Sequence, residues 1–244
     1  MTERVQKILS ARGVASRRKA EQMMLEGRVT CNGQVCLPGS SADPDRDVIL
    51  VDGNPLPAAG KPAYIMLHKP RGYVTTLSDE KGRPNAAQLV ADCGCRVYPV
   101  GRLDMDSEGL LLFTNDGDFA NRLMHPKNMV DKTYRVWVDG LCPEGLERLK
   151  APMELDGYLL SKPKIRLLKE AEGLLEITIH EGRNRQIRRM CEIAGMPVRR
   201  LKRVSEGPLK LGKLALGAWR YLTEEEVRSL MEETYGKAGR QNEI

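Results

Sequence analysis

The 244-residue sequence contains no run of about eighteen apolar residues, so it predicts no transmembrane helix and no membrane partner. Its first residues, MTERVQKILSARG, are charged every few positions and lack the apolar stretch of a signal peptide. Hydrophobic residues make up 41% and charged residues 30% of the chain, which is typical of a soluble globular protein.

Residues that bind metal ions are few and scattered along the chain. The three histidines lie far apart, and the six cysteines lack the two-residue spacing of zinc knuckles. We therefore expect no metal site. Without a secretion signal, the cysteines are expected to be free thiols in a reducing cytoplasm, which predicts a cytoplasmic protein.

What the sequence does contain is positive charge in two clusters. The net charge is +6, but residues 183–213 alone carry +8, with ten basic and two acidic side chains. Residues 1–28 carry +4, with seven basic and three acidic side chains. A single charge run is usually a solvated face. Two clusters in one chain favour a polyanionic partner, most often nucleic acid.

The first part of the chain predicts a small αα-β unit. Apolar residues at helical spacing indicate one helix that ends at Gly13 and a second that Ser16 caps. Two short strands are predicted on either side of Asn32-Gly33, a strong hairpin turn signal, and Val48–Val51 is predicted as a further strand. The stretch Pro55–Pro62, rich in Pro, Ala and Gly, is predicted to be a linker.

Strand patterns dominate the sequence after this linker. The predicted strands are Tyr64–His68, Gly72–Thr76, Leu110–Thr114, Thr133–Val138, Ile165–Leu168, Leu174–His180, Val198–Val204 and Trp219–Leu222. The predicted helices are Asp118–Met124, Pro143–Leu149, Arg185–Ala194 and Thr223–Tyr235. This order favours an α+β domain around a mixed, largely antiparallel sheet. We expect domains at residues 1–58 and 59–235 and a disordered tail at 236–244.

Three segments concentrate residues that could perform chemistry. GRLDMDSEGLLL, from Gly101, is a polar loop that runs into an apolar strand, a usual place for catalytic groups. KTYRV, from Lys132, is an alternating strand with an aromatic residue and cations. EGRNRQIRRM, from Glu181, has four arginines in seven residues, which suggests bidentate contacts to phosphate or carboxylate. Taken singly, each could be an ordinary turn, strand or helix start.

Together these segments resemble the catalytic motifs of the pseudouridine synthases that modify small-subunit and large-subunit ribosomal RNA. The lead-in KPRGYVTT, from Lys69, also fits that family. The segment ASRRKAEQMMLEGRVTCNGQV, from Ala15, is similar to the S4-type RNA-binding fold. The resemblance spans about residues 2–232, with the motifs in the expected order. It implies a small S4-like RNA-binding domain followed by a pseudouridine synthase catalytic domain.

The resemblance also implies roles for individual residues. Asp104 would be the catalytic carboxylate, acting as a nucleophile or as a base, with Arg188 as its ionic partner. Tyr134 would stack on the uracil and could help to remove the proton from carbon 5, and Ile187 would pack against the base from another side. Further substrate contacts are expected from Arg102, which would fill the space that the flipped uridine leaves, and from Arg183 and Arg185. The isomerisation involves no redox change and no group transfer, so no cofactor is expected.

The N-terminal unit would add affinity through phosphate contacts, for which the candidates are Arg17, Arg18, Lys19 and Arg28. The expected partner is structured RNA, either ribosomal RNA or a pre-ribosomal particle, and the protein is expected to be a monomer. The segment from Gly101 to Pro126, including FTNDGDFANRLMHP, resembles the large-subunit members of that family more than the small-subunit one, which implies large-subunit rather than small-subunit RNA as the target. Two other classes remain open: a non-catalytic module for RNA binding or ribosome assembly, and a DNA-binding regulator. A pure binder has no use for a carboxylate beside a basic site, and no recognition helix is evident.

Overall fold

The computed structural model describes residues 1–238, and the chain divides into two compact units, Met1–Pro62 and a larger one that begins at Ala63. The division falls at the end of the stretch that the sequence predicts to be a linker. The last helix continues to Ala238, past the point at which the tail was predicted to begin. The remainder of that tail, residues 239–244, lies outside the described residues.

The N-terminal unit is built from two helices and short strands. Its elements in chain order are β1 (Glu3–Arg4), α1 (Val5–Ala11), α2 (Arg17–Leu25), β2 (Val29–Cys31), β3 (Gln34–Val35), β4 (Ser41–Ala42), β5 (Ile49–Val51) and β6 (Asn54–Pro55). The Ser16 hydroxyl accepts a hydrogen bond from the backbone N–H of Lys19 at 3.2 Å, so it caps α2 as predicted. Asn32 and Gly33 both have positive φ, as a tight hairpin turn requires. The unit has its own core, in which Val5, Leu9 and Met24 are fully buried.

The second unit is assembled around one large sheet. Its strands are β7 (Tyr64–Lys69), β8 (Tyr98–Val100), β9 (Glu108–Thr114), β10 (Lys132–Val138), β11 (Glu154–Leu155), β12 (Tyr158–Leu159), β13 (Lys164–Lys169), β14 (Leu174–Ile179), β15 (Val198–Glu206), β16 (Leu209–Lys210) and β17 (Trp219–Tyr221). Its helices are α3 (Gly117–Met124), α4 (Pro143–Lys150), α5 (Gln186–Ile193) and α6 (Glu224–Ala238), with 3-10 turns at Ala86–Val90, Pro126–Asn128 and Glu170–Glu172.

The sheet has the strand order β13-β14-β10-β15-β9-β7-β17, with β8 paired to β9 and β16 paired to β15. Every pairing in it is antiparallel except the one between β15 and β9. The prediction of an α+β fold with a mixed, largely antiparallel sheet is confirmed. At the parallel pairing Gly109 has a φ of +116°, and a Cβ there would overlap the backbone of Arg203. Only glycine allows the two strands to approach this closely.

The central strands are buried on both faces, which explains their nearly continuous apolar sequences. On one face Ile65, Leu111 and Phe113 join a core that includes residues of α4 and α5. On the other face Met66 and Leu112 join a core that includes residues of α3 and α6. The sheet therefore forms the middle layer, and it fixes the positions of the loops at the ends of its strands.

The strand predicted at Gly72–Thr76 is wrong. Only an isolated bridge between Val74 and Asn85 forms there. Two groups of this segment contact the loop after β8: the backbone N–H of Gly72 donates to the carbonyl of Met105 at 2.7 Å, and the Thr75 hydroxyl donates to the carbonyl of Leu103 at 2.6 Å. The segment thus holds the loop that contains Asp104.

Candidate active site

A cavity of about 260 Å³ opens beside the loop between β8 and β9. It brings together residues from all three motifs, which lie far apart in the sequence. Its lining includes Arg102, Leu103, Asp104, Ser107, Tyr134, Ile179, Leu201 and the segment from Gly182 to Ile187. Six of the seven residues predicted as catalytic or substrate-binding line this cavity. Arg188 is the exception, since it lies outside the lining.

The backbone around Asp104 is held by a buried lysine at the end of β7. The ammonium group of Lys69 donates to the carbonyl oxygens of Asp104, Ser107 and Pro70, at 3.0, 2.8 and 3.1 Å. Lys69 is fully buried, and burial lowers its pKa to about 8. The side chain of Asp104 itself is 35% exposed and faces the cavity. The sequence analysis quoted Lys69 only as part of KPRGYVTT and assigned it no role.

Arg185, which precedes α5, and Arg188 of α5 both contact Asp106. The Arg185 guanidinium donates to both carboxylate oxygens of Asp106, at 3.2 and 2.9 Å, and lies 3.8 Å from Oδ2 of Asp104. Burial would raise the pKa of Asp106, but the hydrogen bonds from Arg185 and the charge of Arg188 outweigh burial and hold that pKa below its usual range. Asp106 is a member of the site that the sequence analysis missed.

The predicted pairing of Arg188 with Asp104 is wrong in this structure. The Arg188 guanidinium forms an ion pair with Asp106 at 3.3 Å. It also donates to the carbonyls of Asp106 and Val198, at 2.9 and 3.2 Å. These two carbonyls hold the Arg188 guanidinium next to Asp106. Arg185 is therefore the cation next to the Asp104 carboxylate, and Arg188 acts one step further away.

Tyr134 and Ile187 form the apolar wall of the cavity. They are 8% and 3% exposed, and they come from β10 and α5. Tyr134 pairs across the sheet with Arg203, which is itself buried in an ion pair with Glu206 at 3.5 Å. Burial raises the pKa of the Tyr134 phenol, so the hydroxyl is protonated at neutral pH. A flat, partly apolar slot next to a carboxylate is suited to a planar ring with polar edges.

The polar wall of the cavity is a loop that Gln186 holds in place. The Gln186 side chain accepts from the backbone N–H of Arg183 at 3.1 Å and donates to Glu181 at 2.9 Å. Gln186 is 3% exposed, so these bonds are protected from water. Arg185 has a φ of +48°, the left-handed conformation, and its side chain turns towards Asp106 from there. Local strain of this kind is common at functional sites.

The four basic residues predicted to bind RNA in the N-terminal unit differ in their surroundings. Arg17, Arg18 and Lys19 are exposed at the start of α2. Arg28 is half-buried and donates to both carboxylate oxygens of Asp52, at 2.8 and 2.7 Å, with Glu26 at 3.3 Å. Its charge is therefore largely compensated within the unit.

Between residues 1 and 238 no cluster of histidine, cysteine and carboxylate side chains has the arrangement of a metal site. Over the same residues, no helix combines the length and the apolar character that crossing a bilayer would require.

Comparison with known proteins identifies the family. The family model for RNA pseudouridylate synthases matches residues 63–193, and the S4 domain model matches residues 3–48. The chain belongs to the RNA pseudouridine synthase family. It is therefore an isomerase with an N-terminal S4 domain, and RNA is its partner.

Relatives and solved structures agree with this assignment over nearly the whole chain. A protein of Aquifex aeolicus named an uncharacterized RNA pseudouridine synthase is 44% identical, over 94% of each chain. The ribosomal large subunit pseudouridine synthase B of Bacillus subtilis is 43% identical, over 93% of this chain and 95% of its own. A crystal structure of a pseudouridylate synthase is 28% identical, with a TM-score of 0.67, and the match covers 93% of this chain and 99% of that one.

Proposed function

We propose that the protein converts a uridine of large-subunit ribosomal RNA into pseudouridine in the cytoplasm, where that RNA is found. The observation that carries the proposal is the cavity in which the exposed carboxylate of Asp104 faces Tyr134 and Ile187 and is surrounded by arginines. The name of the Bacillus subtilis relative supports the choice of large-subunit RNA.

The proposed reaction begins when the target uridine leaves the RNA stack, which costs a few kcal/mol. Arg102, at the edge of the cavity, would occupy the space that the base vacates. The uracil would then lie between Tyr134 and Ile187, with its ribose beside Asp104. Arg183 and Arg185 supply positive charge at this wall of the cavity, and positive charge attracts RNA.

Asp104 would then assist cleavage of the bond between ribose and nitrogen 1, either by adding as a nucleophile or by accepting a proton from the sugar. The base rotates, carbon 5 joins the ribose, the proton on carbon 5 is removed, and nitrogen 1 gains a proton, so that product and substrate have the same atoms. No electrons are transferred to another molecule, so we propose that the enzyme acts without a metal or cofactor. Arg185 would keep Asp104 ionised, and Arg188 would keep Asp106 in place.

We further propose that residues 1–58 act as an RNA-binding domain and residues 59–235 as the catalytic domain, in a monomer. Arg17, Arg18 and Lys19 are the exposed candidates for phosphate contacts, and Arg28 would contribute less because Asp52 and Glu26 engage it.

The test is to map pseudouridines in ribosomal RNA from cells with and without the gene, and to restore the gene as wild type or as Asp104→Asn. One large-subunit position should lose its pseudouridine and regain it only with the wild-type gene. A lost position in small-subunit RNA would show that the target is wrong. Unchanged maps for both RNAs would contradict ribosomal RNA as the substrate.

A further inference from the structure

A short hairpin presents an exposed aromatic ring beside the cavity. Strands β11 and β12 are joined by Asp156 and Gly157, both with positive φ, which makes a tight two-residue turn. The hairpin is firmly anchored. Leu155 and Leu160 are buried in the core, and Asp156 accepts two hydrogen bonds from Arg189 of α5, each 2.7 Å long.

The ring that this hairpin carries stacks against an arginine of the cavity wall. The guanidinium carbon of Arg183 lies 3.2 Å from the centre of the Tyr158 ring. Tyr158 is 45% exposed and the Arg183 side chain 39%, so the pair lies at the surface and contributes little to the core. A cation over an aromatic face is favourable, and it fixes the plane of the guanidinium.

The Arg183 side chain is 39% exposed and lines the cavity, so a ligand in the cavity can reach it. Its Nε lies 3.9 Å from Glu181, and the Glu181 carboxylate is held by the backbone N–H of Ser161 at 3.0 Å. One edge of the guanidinium therefore already faces an acid, which weakens it as a phosphate contact. Its flat face suits a nucleobase, because unstacked RNA bases are commonly bound on aromatic rings or guanidinium planes.

We propose that Arg183, backed by Tyr158, stacks the base of a nucleotide adjacent to the flipped uridine. The juxtaposition that carries this inference is a ring-backed guanidinium in the wall of the cavity that also contains Asp104. The inference rests on the proposed function, since it takes that cavity as the uridine pocket. When the uridine leaves the stack, its neighbour loses a stacking partner, and this platform replaces it.

The first experiment compares turnover by five proteins on a stem-loop RNA that contains the uridine identified by mapping. They are the wild type, Tyr158→Ala, Tyr158→Leu, Tyr158→Phe and, as a control, Leu159→Ala. This control alters the next position of the hairpin, which is 65% exposed. Loss of one stacked base should raise KM about tenfold for both Tyr158 variants and change kcat little. Tyr158→Phe should restore most of the affinity, and Leu159→Ala should match the wild type.

The second experiment removes single bases from the RNA. Abasic sites are placed in turn at the positions flanking the uridine. One of them should raise KM about tenfold for the wild type and leave KM of Tyr158→Ala nearly unchanged, because the contact is already lost. A merely structural role of Tyr158 would raise KM equally on every RNA.

The outcomes separate this inference from the proposed function. Two outcomes would refute the stacking platform while the activity stands, provided that the wild type converts the uridine. In the first, the Tyr158 variants have the same KM as Leu159→Ala. In the second, no abasic position removes the difference in KM between the wild type and Tyr158→Ala. If the wild type converts no uridine in ribosomal RNA, the proposed function fails and the platform fails with it. Tyr158→Leu keeps an apolar side chain beside Arg183 but removes the aromatic ring. It therefore tests whether the ring is required, even if Tyr158→Ala is unstable.

Discussion

Asp104 is positioned through its backbone, while its carboxylate stays open to the cavity. Lys69 and Thr75 hold the carbonyls of Asp104 and Leu103, so the loop keeps its shape whatever the side chain at position 104. The isosteric change Asp104→Asn removes only the charge and the nucleophilic oxygen. A catalytic carboxylate can therefore be tested here without disturbing the fold.

We expect Asp104→Asn to convert less than about 1% as much uridine as the wild type, because an amide cannot act as nucleophile or base. Its melting temperature and RNA affinity should remain close to those of the wild type. Release of tritium from carbon 5 of labelled uridine measures the reaction, and filter binding measures the affinity. Turnover clearly above that level by pure protein would remove Asp104 from its proposed role.

Lys69 is expected to matter for stability and for turnover together. Lys69→Met would leave one buried and two partly buried carbonyls without their donor, and we expect a loss of about 2–3 kcal/mol in the free energy of unfolding. For a chain of this size that corresponds to a melting temperature about 5–10 °C lower. Turnover should fall about 100-fold, since small displacements of reacting groups are costly.

The control for this change is Lys81→Met, at an exposed lysine of the same unit. It should leave both melting temperature and turnover unchanged. A stable Lys69→Met protein with normal turnover would show that the loop keeps its shape without the lysine.

At the residue scale the sequence predicts which side chains meet but not which contacts they make. Asp104, Tyr134 and Ile187 were expected together because each lies in a recognisable motif. That Arg188 contacts Asp106 depends on backbone carbonyls of Asp106 and Val198, which no sequence pattern reveals. Lys69 was missed because a lysine at the end of a strand is ordinarily exposed, and only the fold shows that it is buried.

At the scale of elements, α5 and its preceding loop organise the charge of the site. Arg185 and Arg188 both converge on Asp106 and together hold the pKa of its carboxyl low. A carboxyl whose pKa is lowered in the folded state adds stability above its unfolded pKa, and that stability is lost as the pH falls through the folded pKa. Asp106 is partly exposed, so solvent screening limits the size of the effect.

We therefore expect Arg185→Met to raise the pKa of Asp106. The fall in the free energy of unfolding on acidification should then begin at a higher pH than in the wild type. The difference in stability between wild type and variant should be greatest above pH of about 5 and should shrink at lower pH, as Asp106 is protonated in both proteins. Urea unfolding between pH 3 and 7 checks this. Arg96→Met, at an exposed arginine away from this cluster, is the control and should show no such dependence. A difference that is constant with pH would show that Arg185 acts by packing.

Elements differed in how well the sequence predicted them. Long apolar strands such as β7 and β9, and helices such as α4, were predicted close to their observed bounds because their patterns are strong. The hairpin of β11 and β12 was missed because each strand has two residues, although Asp156-Gly157 is a turn signal that could have revealed it. Gly72–Thr76 has the composition of a strand, but the Gly72 N–H and the Thr75 hydroxyl donate to the Asp104 loop, and the backbone of Val74 bonds to Pro84 and Ala86.

At the scale of the whole molecule, each unit has a hydrophobic core of its own. The first strand of the large sheet, β7, begins at Tyr64, and the cavity is lined only by residues from Arg102 onward. The residues that we propose as catalytic therefore take their positions from the second unit. A separate unit with exposed basic residues at the start of α2 is suited to add affinity for RNA.

We expect a protein lacking residues 1–58 to fold, because the cut leaves the core and every strand of the second unit intact. It should bind ribosomal RNA more weakly, since it loses Arg17, Arg18 and Lys19. Each lost phosphate contact should flatten the slope of log affinity against log salt by about 0.7–0.9, so loss of three contacts would change the slope by about 2–3. Turnover should survive at high RNA concentration, because Asp104 and Tyr134 lie beyond the cut.

Two full-length variants are the controls for the truncation. The variant with Arg17, Arg18 and Lys19 all changed to Gln should show the same change of slope while its fold is preserved. Arg28→Gln alone should change the slope little, because Asp52 already compensates that charge. Unchanged affinity and slope in the truncated protein would show that the N-terminal unit does not contact this RNA, and an insoluble product would show that the domain boundary is wrong.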